Sequence, residues 1–188
     1  MTFKLLPEWL SNSFNLEKGI IQTFISLQLH PGRLSSDFFS GKTKTYFNPI
    51  SYFLITISIG FFVDDGTGYY LLFIPLSLLI GLIYRLVFYN EGLNLFQHLI
   101  LSLFLCSQII ILWIIIFYLD KTLQIPRIIG IGVIFAIVYI FYFNWDVFSS
   151  SNRLFLLFKT LLAWVLIILG MWGFKELVDM IMIFAKIA

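Results

Sequence analysis

The sequence predicts an all-α fold: a polytopic integral membrane helical bundle of about five transmembrane helices with flanking interfacial helices. Three observations predict it. Hydrophobic residues fill 60% of the 188 positions and charged residues 12%, against about 45–50% and about 25% in soluble domains. Burial at this length covers only about 70% of the unfolded chain's surface, so a soluble domain would need a polar skin that this composition does not supply. The mean hydropathy is +0.97, and several apolar runs approach the ~20 residues that cross about 30 Å of hydrocarbon.

The first span runs from Tyr46 to Val63 and opens with Asn48-Pro49, a capping residue followed by proline at the first helical position. Asp64-Asp65-Gly66-Thr67-Gly68 ends it, because two carboxylates and an irregular backbone have no partners in hydrocarbon. The second span, Tyr69 to Tyr89, is then the return leg of a tight hairpin, with a bend expected at Pro75. The third, Leu95 to Leu119, follows the polar link Asn90-Glu91-Gly92-Leu93-Asn94. The fourth extends from Pro126 to Phe143 and the fifth from Leu154 to Phe174, where Gly170 and Gly173 offer a place to bend or stop. The bundle thus occupies residues 46–174, between an N-terminal segment (1–45) and a C-terminal tail (175–188).

Both flanking segments read as amphipathic. In Phe14 to Leu29, the residues Leu16, Ile20, Ile21, Phe24 and Leu27 share a face opposite Lys18, Gln22, Thr23 and Ser26, with Glu17 and Gln28 breaking the pattern. The expectation is a helix on the membrane or against the bundle. Lys175 to Ala188 suits a second surface helix or a continuation of the fifth span. The N-terminus lacks the apolar core of a cleavable signal, so the first span is expected to act as an uncleaved anchor.

Charge bears on orientation rather than on partners. A net charge of +2 gives no field to recruit nucleic acid. Loop by loop, Lys4, Lys18, Arg33, Lys42, Lys44, Arg85, Arg153 and Lys159 collect on the side of the N-terminus. Lys121, Arg127, Lys175 and Lys186 fall on the other. The excess of Lys and Arg marks the cytoplasmic side, which predicts an inner-membrane protein with its N-terminus inside and its C-terminus outside. Cys106, the single cysteine, lies in an apolar run and reads as a small packing residue, which excludes an intrachain disulfide and a zinc ribbon.

The densest polar cluster outside the spans is Leu29-His30-Pro31-Gly32-Arg33, then Asp37, Gly41-Lys42-Thr43-Lys44 and Tyr46-Phe47-Asn48-Pro49. Glycine turns bring three cations to headgroup level directly before the first span. His30, Arg33, Lys42, Lys44 and Tyr46 are therefore candidates for holding an anionic lipid headgroup, each cation contributing about 1 kcal/mol near an anionic surface. The alternative is that they only fix topology.

This cluster, with its Leu-His-Pro-Gly-Arg and Gly-Lys-x-Lys-x-Tyr-x-x-Pro-Ile leading into a hydrophobic helix, resembles the bacterial domain-of-unknown-function family numbered 3667. Tyr84-Arg85 matches an aromatic-basic pair that ends a second helix in that pattern, and His98 matches a histidine that opens a third. The resemblance covers residues 20 to 160. Thr43 and Gln97 depart from it where a basic and an acidic residue are expected, and the N-terminal four-cysteine ribbon of many members is missing. Because the family is uncharacterised, the resemblance implies a polytopic bacterial membrane protein and no activity.

Within the spans, Asn94, His98, Ser102 and Cys106 recur at intervals of four, a polar stripe near the start of the third helix. A histidine at membrane depth is a candidate proton carrier, ion contact or ligand site; its bland counterpart is an interhelical hydrogen bond worth about 0.6 kcal/mol. Arg85 either meets Glu91 or the His98 region, or snorkels to the surface. Ser77 with Gly81 and Gly132 with Ala136 are small pairs that let helices approach. No metalloprotease, nucleophile-elbow, phosphate-loop or calcium-loop spacing occurs, so no metal or cofactor is expected. The sequence therefore favours a non-catalytic scaffold, regulatory or sensing component. A small transporter or channel around His98, formed by one copy or several, is the alternative, and an intramembrane enzyme comes third. The expected partners are the bilayer, anionic headgroups, a second copy or another membrane protein.

Overall fold

The computed structural model describes residues 19–63, 69–123, 128–148 and 152–187, with side chains described as far as Gly170. Among the described residues the regular structure is helical throughout: α1 (Gly19–Leu29), α2 (Pro31–Phe39), α3 (Pro49–Val63), α4 (Phe73–Val87), α5 (Leu95–Leu123), α6 (Ile128–Val147) and α7 (Arg153–Ile187). Five stretches are long and apolar enough to cross a membrane: Thr43–Val63, Tyr69–Val87, Leu95–Leu123, Ile128–Val147 and Arg153–Gly170. Residues 14–18 of the first amphipathic segment, the Asp64–Gly68 turn and Pro126 lie outside the described residues.

Local chemistry sets the helix ends. The Asn48 side-chain oxygen accepts from the backbone N–H groups of Ile50 (2.9 Å) and Ser51 (3.3 Å), capping α3 with Pro49 at its first position. Asn94 and Gln97 form a reciprocal capping box on α5, at 2.9 Å and 2.8 Å. Asn152 accepts from the Leu154 N–H at 3.1 Å at the start of α7. A 3-10 turn, Tyr69–Leu72, precedes α4, so Pro75 is its third residue, where the missing N–H would have had no helical partner. The C-terminal tail continues the last helix: α7 runs unbroken through Gly170 and Gly173 for 35 residues, about 52 Å at about 1.5 Å per residue.

α5 is the axis of the bundle, packing on α3, α4 and α6, while α4 and α6 also pack on α7. Its centre is buried through Leu101, Phe104, Leu105, Cys106 and Ile110. Glycines mark the closest approaches. A Cβ on Gly81 would meet the Leu99 side chain at 2.6 Å and Ser102 Oγ at 3.1 Å, and one on Gly60 would enter the Tyr70 ring. Outward faces are apolar at helical intervals, as with Ile74, Leu78, Leu82 and Leu86 on α4. Such an exterior suits hydrocarbon better than water. Consecutive spans are antiparallel, so the α4–α5 and α6–α7 links share one end of the bundle, and α1 and α2 pack against that same half.

Candidate functional site

α1 and α2 form a helical pair docked on the bundle rather than lying free beside it. The docking face of α1 is Ile20, Thr23, Phe24 and Leu27, which corrects the sequence reading at two positions. Thr23 and Leu27 are fully buried, whereas Ile21 is 59% exposed. Thr23 can face inward because its hydroxyl is satisfied there: it donates to the Gly19 carbonyl (2.8 Å) and accepts from the Phe47 N–H (2.7 Å). Gln28, which breaks the amphipathic pattern, reaches into the bundle and donates to Gln108 Oε1 at 2.6 Å. Gln108 Nε2 in turn donates to the Tyr52 hydroxyl at 2.9 Å. Hydroxyls of α6 hold the carbonyl end of α1, Tyr139 donating to the Leu27 carbonyl at 3.0 Å and Tyr142 to that of Leu29.

The turn into α2 is fixed at Gly32. Its N–H donates to Asp146 Oδ2 at 2.7 Å, and a Cβ there would collide with the Asp146 backbone carbonyl. The glycine of the Leu-His-Pro-Gly-Arg motif is thus a point of backbone contact with α6. Leu34 and Ser35 are buried beneath α2, and the Phe38 ring meets Phe104 edge-on at 6.0 Å.

Between α1, α2 and the segment leading to α3 lies a groove of about 500 Å³. His30, Arg33, Lys42 and Tyr46 line it together with Asp37, Gln22, Ser26 and Thr45, and Ile25, Leu29 and Leu34 give it an apolar wall. Lys44 does not join them; it stands exposed in the 3-10 turn Thr43–Thr45. Gly41, at φ +88°, reverses the chain after α2 and returns Lys42 toward Asp37. Asp37 organises the groove: Lys42 Nζ donates to its Oδ1 at 3.0 Å, the Tyr46 hydroxyl to its Oδ2 at 3.2 Å, and Arg33 Nε stands 3.9 Å away. The Lys42 hydrogen bond, reinforced by Tyr46 and by the Arg33 charge, holds the Asp37 carboxyl below the usual carboxylate range against the opposing effect of burial. The two cations remain 80% and 71% exposed at their side chains. The groove therefore offers several N–H and O–H donors, two accessible cations and one carboxylate beside an apolar wall, a donor set suited to an anionic headgroup.

The members of the polar stripe on α5 have separate surroundings. Asn94 is a helix cap, and Ser102 Oγ donates to the Leu99 carbonyl at 2.7 Å while packing beneath Gly81. Cys106 is fully buried in the apolar core. His98 is also fully buried, beside Phe148 at 6.3 Å between centroids, and neither ring nitrogen has a hydrogen-bond partner. The Tyr84 hydroxyl and the Asn144 amide lie close together nearby without reaching hydrogen-bond geometry. Among the described residues no three His, Cys, Asp or Glu side chains gather as a metal site.

Arg85 Nη1 donates to the Leu93 carbonyl at 3.0 Å and closes the α4–α5 link. Lys159, counted from the sequence as a loop cation, lies in the second turn of α7. Its Nζ donates to Glu91 Oε1 at 2.6 Å, with the two side chains 9% and 7% exposed. The rings of Phe155 (4.9 Å) and Phe88 (5.7 Å) complete its surroundings.

Residues 17–61 match the family model described as a protein of unknown function, DUF3667. The matched segment contains α1, α2, the groove and α3 as far as Phe61. No curated protein and no solved structure matches the chain. Within the matched segment, sequence reasoning found four groove residues but left Asp37 outside the site. Its signal was present, since Asp37 stands four residues after Arg33 and five before Lys42.

Proposed function

We propose that this chain is a non-catalytic component of a bacterial inner membrane, scaffolding or sensing through the groove of its N-terminal helical pair, which takes the phosphate of an anionic lipid headgroup. The groove itself carries this reading: accessible Arg33 and Lys42 beside His30 and Tyr46, with the apolar wall of Ile25, Leu29 and Leu34 on one side. An amphiphile with a phosphate head and an acyl chain matches both halves of that lining. The distribution of Lys and Arg supports an N-terminus and groove on the cytoplasmic side. A small transporter around His98 is the second reading, favoured by the unpartnered imidazole nitrogens; the local engagement of Asn94 and Ser102 weighs against it.

The test is titration of the purified full chain in detergent with phosphatidylglycerol and phosphatidylcholine, followed by native mass spectrometry. Removing two contacts of about 1 kcal/mol each, in Arg33→Gln/Lys42→Gln, should weaken phosphatidylglycerol binding by about 10- to 30-fold. Equal binding by variant and parent would refute the role of the groove.

A further inference from the structure

A second groove, of about 600 Å³, runs between α4 and α7. It is unlike the first, because its walls are apolar and its polar groups are gathered at one end. Leu86, Leu162 and Leu166 give it an oily length, and Tyr89, Asn90 and Lys159 stand at the end where the α4–α5 link meets α7. From Phe155 to Leu166 the groove climbs eleven residues of α7, about 16 Å, which is close to half of the about 30 Å hydrocarbon thickness. It therefore has the depth of one leaflet and the polarity gradient of one lipid, polar at the helix ends and apolar toward the bilayer centre.

The charge at its base decides what sort of lipid fits. Lys159 is nine-tenths buried yet lines the groove, whereas its partner Glu91 is not among the lining residues. Glu91 accepts one of the three ammonium protons and holds the side chain in place. A buried charge inside a span is costly, and such residues mark ligand sites. Lys159 is the cation among the lining residues, so it is the group that an anionic oxygen in the groove would meet.

We propose that the α4–α7 groove holds one membrane phospholipid of the leaflet facing the α4–α5 link, its phosphate against Lys159 and Asn90 and one acyl chain along Leu162 and Leu166. This site depends on α4 and α7 crossing a bilayer and is independent of the N-terminal groove.

The test uses the full chain reconstituted in vesicles with a phosphatidylglycerol that carries a photoactivatable diazirine in its acyl chain, the cross-linked peptides being mapped after irradiation. Labelling should concentrate on residues 155–166 and fall about fivefold or more in Leu162→Trp, which fills the groove at a position already 53% exposed. Val165→Trp, equally exposed but outside the lining, should leave labelling unchanged. A diacylglycerol with the same diazirine chain and no phosphate should label the groove about fivefold less. Labelling as strong on the outward face of α6, around Ile131 to Phe135, would make the groove ordinary boundary lipid and overturn the proposal. Equal labelling by the diacylglycerol would overturn the phosphate contact. Arg33→Gln/Lys42→Gln should not alter the pattern, which separates failure here from failure of the N-terminal groove.

Discussion

Gly32→Ala should release the N-terminal helical pair from the bundle. The added methyl has nowhere to go, because it meets the carbonyl carbon and oxygen of Asp146, and backbone in the last turn of α6 cannot swing aside as a side chain would. Overpacking of this kind costs about 1–3 kcal/mol. Relief by separating the two helices stretches the 2.7 Å bond from the Gly32 N–H to the Asp146 carboxylate, and a hydrogen bond to a charged group is worth about 1.5–3 kcal/mol. Because the structure will trade one cost against the other, a net loss of about 1–3 kcal/mol follows, equivalent to about 5- to 150-fold in an opening equilibrium. Amide hydrogen exchange in detergent reads that equilibrium directly. The amides of α1 and α2 should exchange faster by that factor while those of α5 hold their protection. Gly41→Ala is the comparison: it places a side chain at φ +88° in open space, at a cost of about 1–2 kcal/mol confined to the turn. If Gly32→Ala exchanges like the parent, the pair is not held by this contact, and the account of the motif glycine is wrong.

Three further outcomes are expected. Lys159→Met removes the buried Lys159–Glu91 ion pair and should cost about 3–5 kcal/mol, whereas Glu91→Gln/Lys159→Met should recover most of that loss in detergent melting curves. A double variant no better than the single would show that the pair is not coupled. Gln108→Leu cuts both the Gln28 and Tyr52 links and should destabilise docking of α1 by about 1–2 kcal/mol, read as faster exchange near Leu27 with little change around Gly32. Acidification should loosen the turn after α2. The folded Asp37 carboxyl lies below its ordinary value, so its stabilising link to Lys42 and Tyr46 is complete above the ordinary carboxylate range and is lost as pH falls through the lowered value. Exchange of residues 37–46 should accelerate only there, and Asp37→Asn should abolish the pH dependence.

The spans were legible because each is written into one continuous stretch of sequence. A run of apolar residues between breakers fixes a crossing without knowledge of its neighbours, and Asn48-Pro49 announced the start of α3 through its own capping chemistry. What stayed hidden depends on residues far apart. Thr23 falls on the polar face of a helical wheel and Gln28 interrupts the apolar one, yet each meets a partner on the bundle, Phe47 for the first and Gln108, 80 residues away, for the second. Lys159 reads as a loop cation until Glu91, 68 residues earlier, is placed beside it. Asn94 and Gln97 show the converse, since an apparent stripe of functional polar groups was in part a local capping box. Spacing of four marks a shared face, but not what that face meets. The groove lay between these extremes: its residues stood together in the sequence, while its apolar wall and the central place of Asp37 required the turn at Gly32 and the reversal at Gly41.

The axial position of α5 bears on how the chain is made. α3 and α4 leave the ribosome as a pair, yet they touch each other chiefly through the short turn Tyr69–Leu72, and their extensive faces are reserved for α5. If the bundle assembles in a bilayer, as proposed above, then until α5 enters it Tyr52, Thr56, Ser77 and Tyr84, all buried in the finished bundle, confront acyl chains instead of protein. A nascent chain stopped before Leu95 should consequently be a client for membrane quality control, and insertion of α5 becomes the committing step of assembly.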